Sequence, residues 1–488
     1  MTFENSKPPT HPNTQSHDTE APPNLIEFML KDWRPSNRKP PKPIRLAANF
    51  RERRKTLSGH FPGECLIVPT GHLKVRANDT HYAFRAGSDF YYLTGNQEPD
   101  CVLVLIPEGG GHREVLFVET NPGKTDATFF TDRVKGELWE GARLGVPESQ
   151  SLYQLPCVGM PEMELKLKAS VLEAPKGFRV LRGFSTRVEE WLGDASDAQK
   201  EKDRKLQSVL SEMRLLKDKE EIRELQATID ATQRGFEDVI FRLKTAKSER
   251  EIEGVFYTRA RMEGNDVGYQ SIVGSGAHGC TLHYRKNDGE LKKGDVLLLD
   301  AGIEGNSLYT ADITRTLPIK GKFSKEQREI YELVHLAQAA AFKAVKPGND
   351  FMEPNRHAMK VLAEGLERLG ILPTTAEEAL KKENQFYRRY SLHNVSHMLG
   401  LDVHDCAKAR AETYKLGQLK PGMVLTVEPG LYFQLDDETV PKKYRGIGIR
   451  IEDDVVVTER GCKILSSKIP SKYGDVEKWM QKIWKRKV

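Results

Sequence analysis

Four carboxylates stand where the surrounding sequence is apolar. Asp300 ends Val296–Leu–Leu–Leu, Asp312 opens Asp312–Ile–Thr–Arg315, Glu428 ends Val424–Leu–Thr–Val, and Glu452 ends Gly448–Ile–Arg–Ile. Such carboxylates are costly to bury without a compensating cation. Four in one pocket call for about four positive charges, which two divalent ions supply. The segment His393–Asp405 adds His393, His397 and His404. His393 and His397, at i and i+4, read either as a zinc pair or as polar positions on a partly exposed helix, and an HExxH motif is absent. Four hard oxygen donors with one imidazole suit Mn²⁺ best, with Co²⁺, Zn²⁺ or Fe²⁺ also able to fit, and they exclude a thiolate-rich zinc site. Two such ions ~3.5–4 Å apart acidify a shared water and polarise a carbonyl, so hydrolysis is the expected chemistry.

The elements that must position these groups show a weak internal repeat. Leu291–Gly302 (LKKGDVLLLDAG) aligns with Leu419–Gly430 (LKPGMVLTVEPG), with six of twelve positions identical. Each copy reads as a turn, a buried strand, a carboxylate and a Gly-ended turn, which places a site between two related halves. Asp312, twelve residues beyond Asp300, suits the return strand of a hairpin. In Gly446–Glu452 the alternation sets Ile447, Ile449 and Ile451 on one face and Gly448, Arg450 and Glu452 on the other. Apolar residues from Ile222 to Leu243 recur at helical spacing. Ser248-x-x-Glu251 and Ser324-x-x-Gln327 are capping boxes that start helices ending at Gly264 and before Pro347–Gly348.

A length of 488 residues calls for at least two domains. Residues 1–40 read as a disordered, proline-rich tail. Residues 41–205 read as an α/β domain, with strand-like runs at Cys65–Val68, Phe90–Leu93, Cys101–Ile106 and Glu114–Val118. Residues 206–488 form the unit that carries the carboxylates. With 75 Lys+Arg against 70 Asp+Glu the net charge is only +5, so no polyanion partner follows from it. The basic stretch from Asn37 to Lys55 reads as a solvated helix entry and not as a nucleic-acid patch. Apolar runs fall far short of the ~20 residues that span a bilayer, so no membrane association is expected. Six scattered cysteines with no CxxC pair suit free thiols in the cytoplasm. The basic carboxy-terminal stretch Lys478–Arg486 reads as a solvated helix.

From about Phe50 onward the chain resembles the aminopeptidase P and prolidase family of metallopeptidases. The matching motifs are Ser211–Lys217, Ile272–Gly276, His283–Tyr284, Leu299–Gly302, Asp312–Arg315, His393-x-x-Ser–His397, Val427–Gly430 and Gly448–Asp453, with Phe84–Gly95 in the first domain. The resemblance implies an α+β architecture: a creatinase-type amino-terminal domain, then a pita-bread catalytic domain with a pseudo-twofold repeat.

It further implies metal ligands Asp300, Asp312, His397, Glu428 and Glu452. Asp312 and Glu452 would bridge the two ions, Asp300 would complete one site, and His397 with Glu428 the other. Glu428 would also be the catalytic general base, taking a proton from the attacking water. His283, His393 and His404 would hold substrate and stabilise the tetrahedral intermediate, and Arg450 would orient the ligands beside it. The implied activity is that of an aminopeptidase cleaving the first bond of peptides with proline second; a prolidase acting on Xaa-Pro dipeptides is the alternative, and a non-catalytic pita-bread binding protein a further one. The family also suggests a homodimer or homotetramer. The Asp300–Asp312 interval is one residue longer than is usual in the family, an extra residue expected at the hairpin tip near Gly305–Ser307; elsewhere it would turn Asp312 away.

Overall fold

The computed structural model describes residues 21–34 and 38–486. It divides into two compact units, Met1–Val209 and Leu210–Val488, with the boundary inside the helix Asp197–Met213. Most of the tail expected to be disordered lies outside the described residues. Within it, however, Pro23–Met29 forms a short helix with no buried residue, the proline sitting in the first turn where no N–H is needed.

The first unit is built on a five-stranded sheet in the order Cys157–Gly159, Gly111–Val118, Val102–Glu108, Cys65–Pro69, Phe178–Val180. Its inner strands are antiparallel and each edge strand is parallel to its neighbour. Cys65, Ile67, Val102, Val104 and Phe117 are buried in the core of this unit. The expected strand at Phe90–Leu93 is instead part of the helix Ser88–Thr94, closed by Gly95 at φ 68°. A run of aromatics suits either element, and the left-handed glycine cap is what ends a helix. The basic stretch also differs from expectation. The helix Ala47–His60 buries Arg53 and Arg54: Arg54 donates to the Leu93 carbonyl at 2.7 Å and pairs with Glu114 at 2.9 Å, and Arg53 lies over the Tyr92 ring.

The second unit holds the repeat as two sheets. Val296–Ala301 lies between Ile313–Pro318 and Ile272–Ser275, antiparallel to both. Val424–Val427 pairs with Asp453–Val457, which pairs with Cys462–Ile464, again antiparallel. A third ribbon joins Gly430–Tyr432 to Gly448–Arg450. Around them pack the helices Lys219–Leu243, Glu249–Glu263, Lys325–Ala344 and Glu353–Arg368. Ser248 and Ser324 cap their helices as the sequence predicts, each accepting a backbone N–H three residues on. The carboxy-terminal helix Tyr473–Trp484 is not merely solvated: Val476, Trp479, Met480 and Ile483 are buried in the main core.

The hairpin between Asp300 and Asp312 keeps its register, with Asp300 opposite Thr314 and Ala301 opposite Ile313. The chain turns at the tip through Gly305–Tyr309, closed by the Gly305 N–H on the Tyr309 carbonyl at 2.9 Å, with Leu308 at φ 60°. Gly302 is required inside the hairpin, because a Cβ there would stand 1.7 Å from the Ala311 carbonyl oxygen.

Among the described residues no helix is long and apolar enough to cross a membrane.

Candidate metal centre and active site

Asp300, Asp312, Glu428 and Glu452, with His283, His393, His397, His404 and Arg450, line one cavity of about 530 Å³ in the second unit. Asp300 and Asp312 come from the two strands of the first-repeat hairpin. Glu428 follows the strand Val424–Val427, and Glu452 sits between the strands Gly448–Arg450 and Asp453–Val457. The two halves are tied at the site itself: the Glu452 N–H donates to the Thr314 carbonyl at 3.1 Å, and the Thr314 hydroxyl to Glu452 Oε2 at 2.6 Å. The fully buried Arg315 side chain bonds the Glu452 carbonyl at 2.6 Å and Asp453 Oδ1 at 2.7 Å. This accounts for the arginine of the Asp312–Arg315 motif, which holds the second carboxylate strand against the first.

Donor atoms of Asp312, His397 and Glu452 all lie within 4.8 Å of one another. His397 Nε2 is 3.2 Å from Asp312 Oδ2 and 3.5 Å from Glu428 Oε1. Asp300 joins from the other side through the Tyr269 hydroxyl, which is 2.6 Å from Asp300 Oδ1 and 2.5 Å from Asp312 Oδ1. One phenolic proton thus serves two carboxylates, and both aspartates face the same point despite the longer hairpin. The His393–His397 segment is not helical. It is an irregular strap pinned by the Met398–Leu425 bridge and by the Thr426 N–H on the His397 carbonyl at 3.0 Å.

Burial raises the pKa of Asp312 and raises Glu452 well above the carboxylate range, neighbouring carboxylates adding to both. Burial likewise pushes Glu428 up to about 7, against the His397 charge. His397 is held at about 9, because its Asp312 bond and the Glu428 charge outweigh the burial that would lower it. Protein groups alone therefore leave the cluster short of positive charge: Arg450 reaches Asp300 Oδ2 at 2.6 Å, and among the described residues His397 is the one other cation in contact. The donor set, mostly carboxylate oxygen with one imidazole, fits hard divalent ions. Asp454 points to the same tight design. It is fully buried beside Glu452 and Asp312, one oxygen accepting the Asp312 N–H at 3.1 Å and the other without a hydrogen-bond partner among the described residues.

The wall is formed by the remaining histidines. His393 Nε2 lies 2.7 Å from the Tyr432 hydroxyl, which also receives Arg450 at 2.8 Å. His404 packs edge-on against His397, ring centres 4.4 Å apart. His283 reaches the cavity from the loop after Gly276–Cys280. Sequence reasoning assigned no role to Tyr269 or Tyr432. Tyr269 stands next to Gly268, three residues before the Ile272–Gly276 motif, and Gly268 is forced by a Thr310 side chain that a Cβ would strike. Tyr432 shares the face of Gly430 two residues earlier, in the strand that follows Glu428–Pro429.

Comparison with known proteins agrees with this geometry. Residues 223–459 match the model of metallopeptidase family M24, and residues 50–175 that of the aminopeptidase P N-terminal domain. The chain is 49% identical over 458 residues to Xaa-Pro aminopeptidase 1 of Streptomyces coelicolor, covering 93% of this chain and 91% of that one. It is 34% identical over 460 residues to the Xaa-Pro aminopeptidase of Escherichia coli, covering 88% and 97%. The structure of E. coli aminopeptidase P with the inhibitor Pro-Leu superposes with a TM-score of 0.80 at 32% identity, over 90% of this chain and 99% of that one. With both domain types in order and the likeness spanning nearly its whole described length, the chain belongs to metallopeptidase family M24, beside the aminopeptidase P enzymes, and is a metal-dependent peptidase.

Proposed function

We propose that this peptidase is a dinuclear-metal aminopeptidase that hydrolyses the bond between the first residue and a following proline. The carrying observation is the two-sided cluster in which Tyr269 joins Asp300 to Asp312 while His397 stands between Asp312 and Glu428, at the buried end of a histidine-walled cavity. In this reading Asp300, Asp312, His397, Glu428 and Glu452 hold two divalent ions, Mn²⁺ by preference. When bound, the ions supply charge neutralisation, an acidified water and Lewis-acid polarisation of the scissile carbonyl.

The chain's own groups do the rest. Glu428 accepts the proton of the attacking water and delivers it to the departing proline nitrogen. His393, oriented by Tyr432, and His404, braced against His397, hold the substrate carbonyl and stabilise the oxyanion by hydrogen bonding. His283 contacts the substrate from the opposite loop. Arg450 fixes both Asp300 and Tyr432, so a single cation sets the geometry of a metal ligand and of the His393 partner.

The deciding assay compares an Xaa-Pro-Pro tripeptide with an Xaa-Pro dipeptide, Mn²⁺ added. Release of the first residue from the tripeptide is expected; hydrolysis of the dipeptide alone makes the protein a prolidase. Full chelation is expected to lower the rate at least a hundredfold, with Mn²⁺ restoring more of it than Zn²⁺, and the metal content of purified protein measured alongside. A solved E. coli neighbour is described as zinc-substituted with product, which makes zinc the natural comparison. Unchanged activity after metal removal contradicts the proposed centre.

The six cysteines are all free, five of them buried, which supports a reducing cytoplasmic setting. A homodimer or homotetramer is the assembly we expect from the family; light scattering on the purified protein reads it directly.

A further inference from the structure

The catalytic cavity is acidic at its buried end and basic elsewhere on its wall. Besides the site residues, Arg285 and Lys415 line it. Both are exposed, and neither side chain makes an ion pair or hydrogen bond among the described residues. The backbone at Arg285 is anchored, because its carbonyl accepts from the Gln270 side chain at 3.1 Å. Two neighbouring acids are already engaged: Asp288 accepts from the Tyr284 hydroxyl, and Asp405 is held by Lys217 at 3.0 Å and Arg214 at 3.1 Å. Arg285 also stands close to His404. Burial lowers the His404 pKa, and the charges of His397 and Arg285 are among those that add to it.

In an aminopeptidase the substrate's amino terminus lies at the closed end and the rest of the peptide leaves through the mouth. Exposed groups on the wall therefore meet residues beyond the scissile bond. We propose that Arg285 and Lys415 form a carboxylate-binding subsite on the leaving-group side, selecting peptides that carry a negative charge directly after the proline. In a tripeptide that charge is the α-carboxylate, one residue of ~3.3–3.6 Å past proline; in a longer peptide it is an Asp or Glu side chain. An arginine fork and a flexible ammonium suit either form. Being exposed, the pair should be screened by salt.

This inference rests on the Xaa-Pro aminopeptidase reading, and the test separates the two. Wild type and Arg285→Gln/Lys415→Gln are assayed on an Xaa-Pro-Ala tripeptide as free acid and as carboxamide, at low and high salt. Wild type is expected to favour the free acid about five- to tenfold in kcat/KM, mainly through KM. High salt should shrink that ratio, and the double variant should bring it near one. Cleavage of neither substrate overturns the underlying function. Cleavage of both with no acid preference, or a preference that survives in the double variant, overturns the subsite alone, as does an equal loss on acid and amide. Xaa-Pro-Glu-amide against Xaa-Pro-Gln-amide separates the sources of the charge: a Glu preference abolished by the double variant assigns the subsite to acidic side chains as well, and its absence restricts it to the α-carboxylate.

Discussion

Glu428→Gln is expected to lower kcat on an Xaa-Pro tripeptide by roughly 10²–10⁴-fold, the usual contribution of a positioned general base. The substitution keeps volume while removing the negative charge and the ability to take a proton. The Glu428 carboxylate lies 3.5 Å from His397 Nε2 and 3.6 Å from His393 Nδ1, with one oxygen 3.4 Å from the Thr426 hydroxyl. An amide oxygen can occupy the same place, so the fold should survive. Metal content per chain must be measured beside kcat, because the same side chain is proposed as a ligand. A variant that keeps its metal and loses kcat with little change in KM identifies the base. A kcat within tenfold of wild type, metal retained, would falsify that role.

The reason for expecting so large an effect is how little freedom the site has. Asp300 and Asp312 enter from one hairpin, Glu428 and Glu452 from the other half, and the halves meet through Thr314, Arg315 and Asp454. The backbones of Asp312 and Glu452 and the Glu452 carboxylate are therefore fixed by bonds from outside the ligand set, and proximity effects are steep under such constraint.

Much of this was readable in the sequence, for an identifiable reason. A carboxylate inside an apolar strand violates the burial pattern and marks itself, which is how Asp300, Asp312, Glu428 and Glu452 stand out. The repeat then placed two of them at equivalent positions. A tyrosine leaves no such mark: Tyr269 and Tyr432 satisfy the apolar pattern with their rings while their hydroxyls enter the site. The histidine spacing left a zinc pair or a partly exposed helix open, but His393–His397 is an irregular strap held by backbone pairing of His397 to Thr426 and of Met398 to Leu425, a tertiary effect that local periodicity does not carry. Phe90–Leu93 fails similarly, since aromatics favour strands only where a sheet awaits them, and here the helix is buried all round, from Phe90 to Thr94. The basic stretch hid two buried arginines because their partners, Tyr92 for Arg53 and Leu93 and Glu114 for Arg54, are distant in sequence.

The Ser211–Lys217 motif contributes a second large effect, on stability. Arg214 and Lys217 are buried and both reach Asp405, at 3.1 and 3.0 Å, with Asp405 itself 1% exposed. Any Cβ at Gly400 would fall 2.2 Å from Asp405 Oδ2, so the triad has no room to rearrange. Asp405→Asn leaves the buried Lys217 without its carboxylate and Arg214 with Asp402, 3.6 Å away, as its remaining paired acid, and should cost about 3–5 kcal/mol, a fall in Tm on the order of 10 °C for a unit of this size. Lys217→Met, which leaves the Arg214–Asp405 pair intact, should cost clearly less. The pH dependence has a definite sign. Burial works to raise the Asp405 pKa, but the Lys217 and Arg214 charges overcome it and hold the pKa below the ordinary aspartate value. A depressed folded-state pKa gives stability that is complete above the unfolded value of about 3.9 and disappears as pH falls through the lower folded value. The gap between wild type and Asp405→Asn should therefore be widest near neutrality and close in strong acid. Thermal unfolding from pH 7 downward measures it; a gap independent of pH would show that Asp405 matters for its shape and backbone contacts, and not for the charge that neutralises two buried cations.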